Sequence, residues 1–63
     1  MKNNIKVERA KRNMKQSTLA KKSGVSMQAI TQIERGESDP KITTAHKIAK
    51  VFGLKVSELF FLE

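Results

Sequence analysis

Apolar side chains return along this chain at three- and four-residue intervals, and Gly24, Gly36, Pro40 and Gly53 punctuate the pattern. That interval is helical, because residues at i, i+3, i+4 and i+7 share one face of an α-helix. No window alternates apolar and polar positions cleanly enough for a half-buried strand. A first helix is predicted over about residues 4–13, with Val7, Ala10 and Met14 on one face and Ile5 beside them. A second, about 16–23, carries Leu19 and Ala20 and stops at Gly24, which suits a left-handed C-cap. Ser26 serves as N-cap of a third, which runs to about Arg35 with Ile30 and Ile33 inward and Gly36 ending it. After the polar turn Gly36–Pro40, a fourth helix over about 43–52 buries Ala45, Ile48, Ala49 and Phe52. A last turn, about 56–61, contributes Leu59 and Phe60. The prediction is one all-α domain of five short helices spanning residues 1–63.

Length sharpens this picture. A chain of 63 residues buries only about 60% of its unfolded surface, so its core is thin. It has no cysteine and a single histidine, His46. Disulfides, thiolate metal sites and His-rich metal sites are therefore excluded, and no cofactor is expected. A helical core, a second subunit, or both must supply the stability. The start, Met1 to Lys6, is too polar for a signal peptide, and no apolar run reaches membrane-spanning length. A soluble, cytoplasmic protein of a prokaryotic cell or phage is expected. Paired carboxylates at a plausible site, tyrosine and cysteine are all lacking, which argues against an enzyme.

Charge narrows the partners. Thirteen Lys and Arg face six Asp and Glu, for a net +7. Residues 1–25 hold eight of the basic side chains and only Glu8 against them, while residues 26–63 are balanced. A one-sided basic surface points to a polyanion, either nucleic acid or an anionic membrane face. The basic residues do not lie opposite a continuous apolar stripe, which disfavours the membrane.

The second and third segments carry the sharpest signal. Small Ala20 lets the third helix cross close over the second, and Gly24 permits a tight turn between steeply crossing helices. Val25, Ile30 and Ile33 then pin the third helix by its inner face and turn its other face outward. This is the geometry of a helix-turn-helix, here about residues 16–35, whose second member enters the DNA major groove.

The run Gln16-Ser17-Thr18-Leu19-Ala20-Lys21-Lys22-Ser23-Gly24-Val25-Ser26, followed by Ile30-Thr31-Gln32-Ile33-Glu34-Arg35-Gly36, resembles the phage repressor and Cro type of helix-turn-helix regulator, lambda-repressor-like or XRE-like. Arg9 before it, and Pro40, Ala45–Lys50 and Gly53 after it, extend the resemblance to about residues 5–61. It implies a five-helix DNA-binding domain with no effector domain or small-molecule ligand, binding double-stranded DNA. Base contacts would come from Ser26, Met27, Gln28, Thr31 and Gln32 on the recognition helix. Gln28 can offer its amide to adenine, whereas Met27 can reach only a thymine methyl or base edge. Gln16, Lys15, Arg35 and Lys41 would touch the DNA backbone, and Arg9 and Glu34 would form a structural ion pair. Four positions depart from the family pattern, one being Arg35 in place of a frequent asparagine. Lys15 stands where a capping hydroxyl or amide is common, and Ser23 and Thr44 stand at commonly aliphatic positions.

Leu59, Phe60, Phe61 and Leu62 put two of three phenylalanines within four residues. On a monomer this would be an exposed apolar patch, so a homodimer contact is expected there. Function is expected to be sequence-specific transcription regulation, as a repressor at a pseudo-palindromic operator. Alternatives are an antitoxin, a restriction-modification controller, or a protein- or RNA-binding module on the same scaffold.

Overall fold

Ten apolar side chains converge on one centre: Ile5, Leu19, Ile30, Ile33, Ala45, Ile48, Ala49, Phe52, Leu59 and Phe60. Met14, Ala20, Val25, Val51, Leu54 and Val56 pack partly buried around them. The computed structural model describes residues 1–62. Around that centre lie β1 (Lys2–Asn3), α1 (Ile5–Lys11), α2 (Gln16–Ser23), α3 (Met27–Glu34), α4 (Ile42–Phe52), α5 (Val56–Leu59) and β2 (Phe60–Phe61). The five-helix class read from the periodicity is what is seen. No helix of the described residues is long and apolar enough to cross a membrane.

The helical spacing identifies the buried faces of α3 and α4 correctly and that of α1 incorrectly. In α1 only Ile5 is buried, while Val7 and Ala10 are exposed and Met14 packs from beyond the helix end. The inward side is instead Ile5, Glu8 and Arg9, at i, i+3 and i+4, with exposed Arg12 at i+7 along the edge of the same face. Its polar members are accommodated by specific partners. The Arg12 guanidinium lies 4.8 Å from the centre of the Phe52 ring and donates to the Phe52 carbonyl at 3.2 Å. Asn13, in a left-handed conformation (φ 51°), turns the chain out of α1, and the Met14 amide closes back on the Arg9 carbonyl at 2.9 Å.

The two chain ends meet, which the sequence pattern did not predict. β1 and β2 pair antiparallel, with Lys2 opposite Phe61 and Asn3 opposite Phe60. The last segment, expected as helix to 61, is therefore helical only to Leu59 and extended from Phe60. Two residues per strand are too few to leave an alternating signature. Asn3 ties the ribbon down: its Nδ2 donates to the Ile33 carbonyl at 2.9 Å, and its Oδ1 accepts from the Ile5 amide at 3.2 Å. One side chain thus serves a carbonyl at the end of α3, which also accepts from the Gly36 amide at 3.0 Å, and an amide at the start of α1, a group that a helix N-terminus leaves without an intrahelical partner.

This ribbon corrects the proposed dimer patch. Leu59 and Phe60 are core residues, not surface. Leu59 closes the inner face of α5, and the period of two that begins at Phe60 sends Phe60 inward and Phe61 outward. Only Phe61, 36% exposed, and Leu62, 83% exposed, remain on the outside.

Candidate nucleic-acid interface

The helix-turn-helix is assembled by local backbone chemistry. α2 begins after Lys15, which is extended (ψ 157°) and gives no side-chain cap. The first amide with a helical partner is that of Leu19, which donates to the Lys15 carbonyl at 3.1 Å. The first-turn amides of α2 therefore have no side-chain cap, and that end of the helix carries partial positive charge. α2 ends at Gly24 in a left-handed conformation (φ 75°). A Cβ built there would touch nothing within 4 Å, so glycine is needed for its backbone angle and not for space. Ser23 braces the same turn. Its hydroxyl lies 3.4 Å from the Ala20 carbonyl and accepts from the Val25 amide at 3.2 Å. A polar residue at this commonly aliphatic position is thus built into the turn.

α3 opens with Ser26, whose hydroxyl accepts from the Ala29 amide at 3.1 Å. Ile30 and Ile33 are buried beneath it. The opposite face presents Met27, 51% exposed, with Gln28 and Gln32 also exposed. Among the described residues, no side-chain hydrogen bond involves Gln28 or Gln32. Their amides are left unsatisfied by the fold, as a surface that reads another molecule requires.

Under this face runs a polar network linking three helices. Arg9 donates twice to Glu34, from Nε to Oε2 at 2.7 Å and from Nη2 to Oε1 at 2.9 Å. Its third bond goes to the Met14 carbonyl at 2.9 Å. The pair is well sheltered, with the Arg9 and Glu34 side chains 15% and 6% exposed. Gln16 joins through Nε2, which donates to Glu34 Oε1 at 3.3 Å. The Thr31 hydroxyl lies 3.0 Å from Gln16 Oε1 and 2.9 Å from the Met27 carbonyl. Thr31 is therefore half-buried and engaged, unlike its exposed neighbours Gln28 and Gln32.

Three cations frame the surface. Lys15 precedes α2, Arg35 is the C-cap of α3 and Lys41 is the N-cap of α4, and all are exposed. Among the described residues none of them pairs with a carboxylate. The rest of the basic N-terminal segment is less uniform than its composition implies. Lys11 and Arg12 both pair with Glu8, at 3.2 and 2.8 Å. The Arg12 hydrogen bond, then that of Lys11, holds the Glu8 carboxyl below its ordinary pKa. With Arg9 committed to Glu34, three of the eight cations in residues 1–25 serve the fold. Sequence reasoning missed Asn3 and the linking position of Thr31, because both act through residues far away in the chain.

A family model described as helix-turn-helix matches residues 5–59. An uncharacterised HTH-type transcriptional regulator of Methanocaldococcus jannaschii is 51% identical over 63 residues, covering all of this chain and 96% of that one. One from Archaeoglobus fulgidus is 41% identical over 63 residues, covering all of this chain and 89% of its own length. The HTH-type transcriptional regulator PuuR of Escherichia coli is 38% identical over 52 residues, which is 82% of this chain but 28% of PuuR.

Proposed function

Since the chain belongs to the helix-turn-helix family of DNA-binding transcriptional regulators and is not an enzyme, we propose that it represses transcription as a homodimer on a pseudo-palindromic operator. The observation that carries this reading is the contrast across α3. Its inner face is locked by Ile30 and Ile33, while Met27, Gln28 and Gln32 stand exposed with no internal bonds. Gln28 and Gln32 have the donor and acceptor pair that adenine presents in the major groove, and Met27 suits a thymine methyl. Ser26, which accepts a bond as N-cap, keeps its own proton to donate to DNA.

Backbone contacts come from Lys15, Gln16, Arg35 and Lys41. Lys15 and Gln16 sit where the uncapped amides of α2 and its positive end favour a phosphate. Those contacts supply most of the affinity and make it fall with salt, by about 0.9 log units per log unit of salt for each phosphate neutralised. In the dimer, exposed Phe61 and Leu62 carry the apolar contact, and the two recognition helices lie about 34 Å apart along one face of the duplex.

Selection of bound sequences from a random DNA pool tests this directly. A two-fold symmetric motif that persists at higher salt is the expected result, and absence of any enriched motif would remove the operator claim. On the selected duplex, Gln28→Ala should cost about 1–3 kcal/mol and relax preference at one base position. Equal losses on selected and random DNA would show that Gln28 does not read a base. Sedimentation of the wild type and of Leu62→Asp addresses the dimer, which fails if the wild type is monomeric at every concentration.

A further inference from the structure

Thr31 stands on the recognition helix but is turned away from the exposed surface of Gln28 and Gln32. Its hydroxyl has one proton and two candidate acceptors, Gln16 Oε1 at 3.0 Å and the Met27 carbonyl at 2.9 Å. Gln16 decides between them. Its Nε2 faces Glu34 Oε1 at 3.3 Å, and reversing the amide would set an acceptor oxygen against the carboxylate. Oε1 therefore faces Thr31. With no proton between them, those two oxygens would repel at 3.0 Å. The Met27 carbonyl, by contrast, already has the helical i→i−4 amide as a donor. The hydroxyl proton accordingly goes to Gln16.

We propose that Thr31 and Glu34 are positioning residues for Gln16, holding its carboxamide by both ends so that its remaining N–H is presented to a DNA phosphate. This rests on the phosphate reading of Gln16 given above. Glu34 is itself held by two bonds from Arg9, so the orientation of Gln16 is fixed through α1 and α3. A glutamine side chain loses rotamer freedom when it is immobilised, and ordering it in the free protein removes that cost from binding. A corollary is that Thr31 contributes to affinity through Gln16 and reads no base.

A double-mutant cycle of Thr31→Val and Gln16→Ala tests this on the selected duplex and on random DNA, with Thr31→Ser as rescue. Valine keeps the branched shape and removes only the hydroxyl, and the thermal midpoint of each variant checks folding. Gln16→Ala is expected to weaken both duplexes about tenfold. Thr31→Val should weaken both equally, by roughly three- to fivefold. It should have no further effect in the Gln16→Ala background, and Thr31→Ser should bind like the wild type. A change of preference at a single base position in Thr31→Val would make Thr31 a base reader and overturn the proposal. So would a Thr31→Val loss that persists in the Gln16→Ala background. Normal binding by Thr31→Val beside a weakened Gln16→Ala would overturn the positioning and leave the phosphate contact standing. A Gln16→Ala protein that binds normally would remove both.

Discussion

α1 and α3 are nearly equal in length and both rich in polar side chains, yet they use them in opposite ways. Along α1 and its C-cap every charged residue but exposed Lys6 is committed to the fold: Arg9 to Glu34, Glu8 to Lys11 and Arg12, and Arg12 to Phe52. In α3 the outward residues Gln28 and Gln32 have no internal partners among the described residues, and Met27 is half exposed. Composition alone ranks the N-terminal segment as the polyanion-binding surface, because all of the net charge lies there. The structure shows why a charge count misleads. A cation whose bonds are already satisfied within the fold has less to offer a phosphate than an unpaired one such as Lys15 or Lys41.

The sharpest test of this contrast is Arg9→Met. It leaves Glu34 sheltered without its main counter-charge, and loss of one partner from a buried pair costs about 3–5 kcal/mol. Chemical denaturation should show a loss of that order, whereas Gln28→Ala and Gln32→Ala should stay within about 0.5 kcal/mol of the wild type. A marked destabilisation by either glutamine change would mean that the α3 surface also serves the fold, and the contrast would collapse.

Arg12→Ala is expected to have a smaller effect. Arg12 is about one-third exposed, and its contact with Phe52 contributes about 0.5–1 kcal/mol, to which the solvent-screened pairing with Glu8 adds little. The same substitution should change DNA affinity little, because the side chain is spent on the fold. A large affinity loss at unchanged stability would return Arg12 to the phosphate-binding set.

How much of this was legible beforehand depends on the range of the contacts. The helix-turn-helix rests on neighbours: the left-handed Gly24, the Ser26 cap, and Ile30 and Ile33 one turn apart. Each leaves a local signature. The face of α1 was misread because its inward stripe is mostly charged, so the apolar period pointed to Val7 and Ala10 instead. Arg9 is sheltered against Glu34 and exposed Arg12 lies over Phe52, partners 25 and 40 residues away in the chain. The ribbon joins residues 2–3 to 60–61, and no window of sequence contains both strands. For the same reason Leu59 and Phe60 looked like surface. The apolar composition of the ending was evident, but which of its side chains point inward follows from a pairing between the chain's two ends. Within the candidate interface, the exposure of Gln28 and Gln32 follows from residue type and period, whereas the engagement of Thr31 appears only when α2 and α3 are placed together.

The smallest expected effect concerns pH and again separates the two helices. The carboxyl of Glu8 is held below its ordinary pKa by Arg12 first and Lys11 second. A carboxylate with a lowered pKa in the folded state contributes stability that is fully present above its unfolded pKa. That contribution is lost as pH falls through the lowered folded value. Stability should therefore decline on the acid side, and Glu8→Gln should remove part of that decline while being slightly less stable than the wild type near neutral pH. Denaturation midpoints taken across the acid range for both proteins measure the difference. No titratable group lies among the outward residues of α3 from Met27 to Gln32, so changes there should shift the curve without altering its slope. If Glu8→Gln followed the wild-type profile at every pH, the bonds to Arg12 and Lys11 would be making no net contribution. α1 would then be tied down by Ile5, Arg9 and the contact of Arg12 with Phe52, and Lys11 would join the cations available to a phosphate.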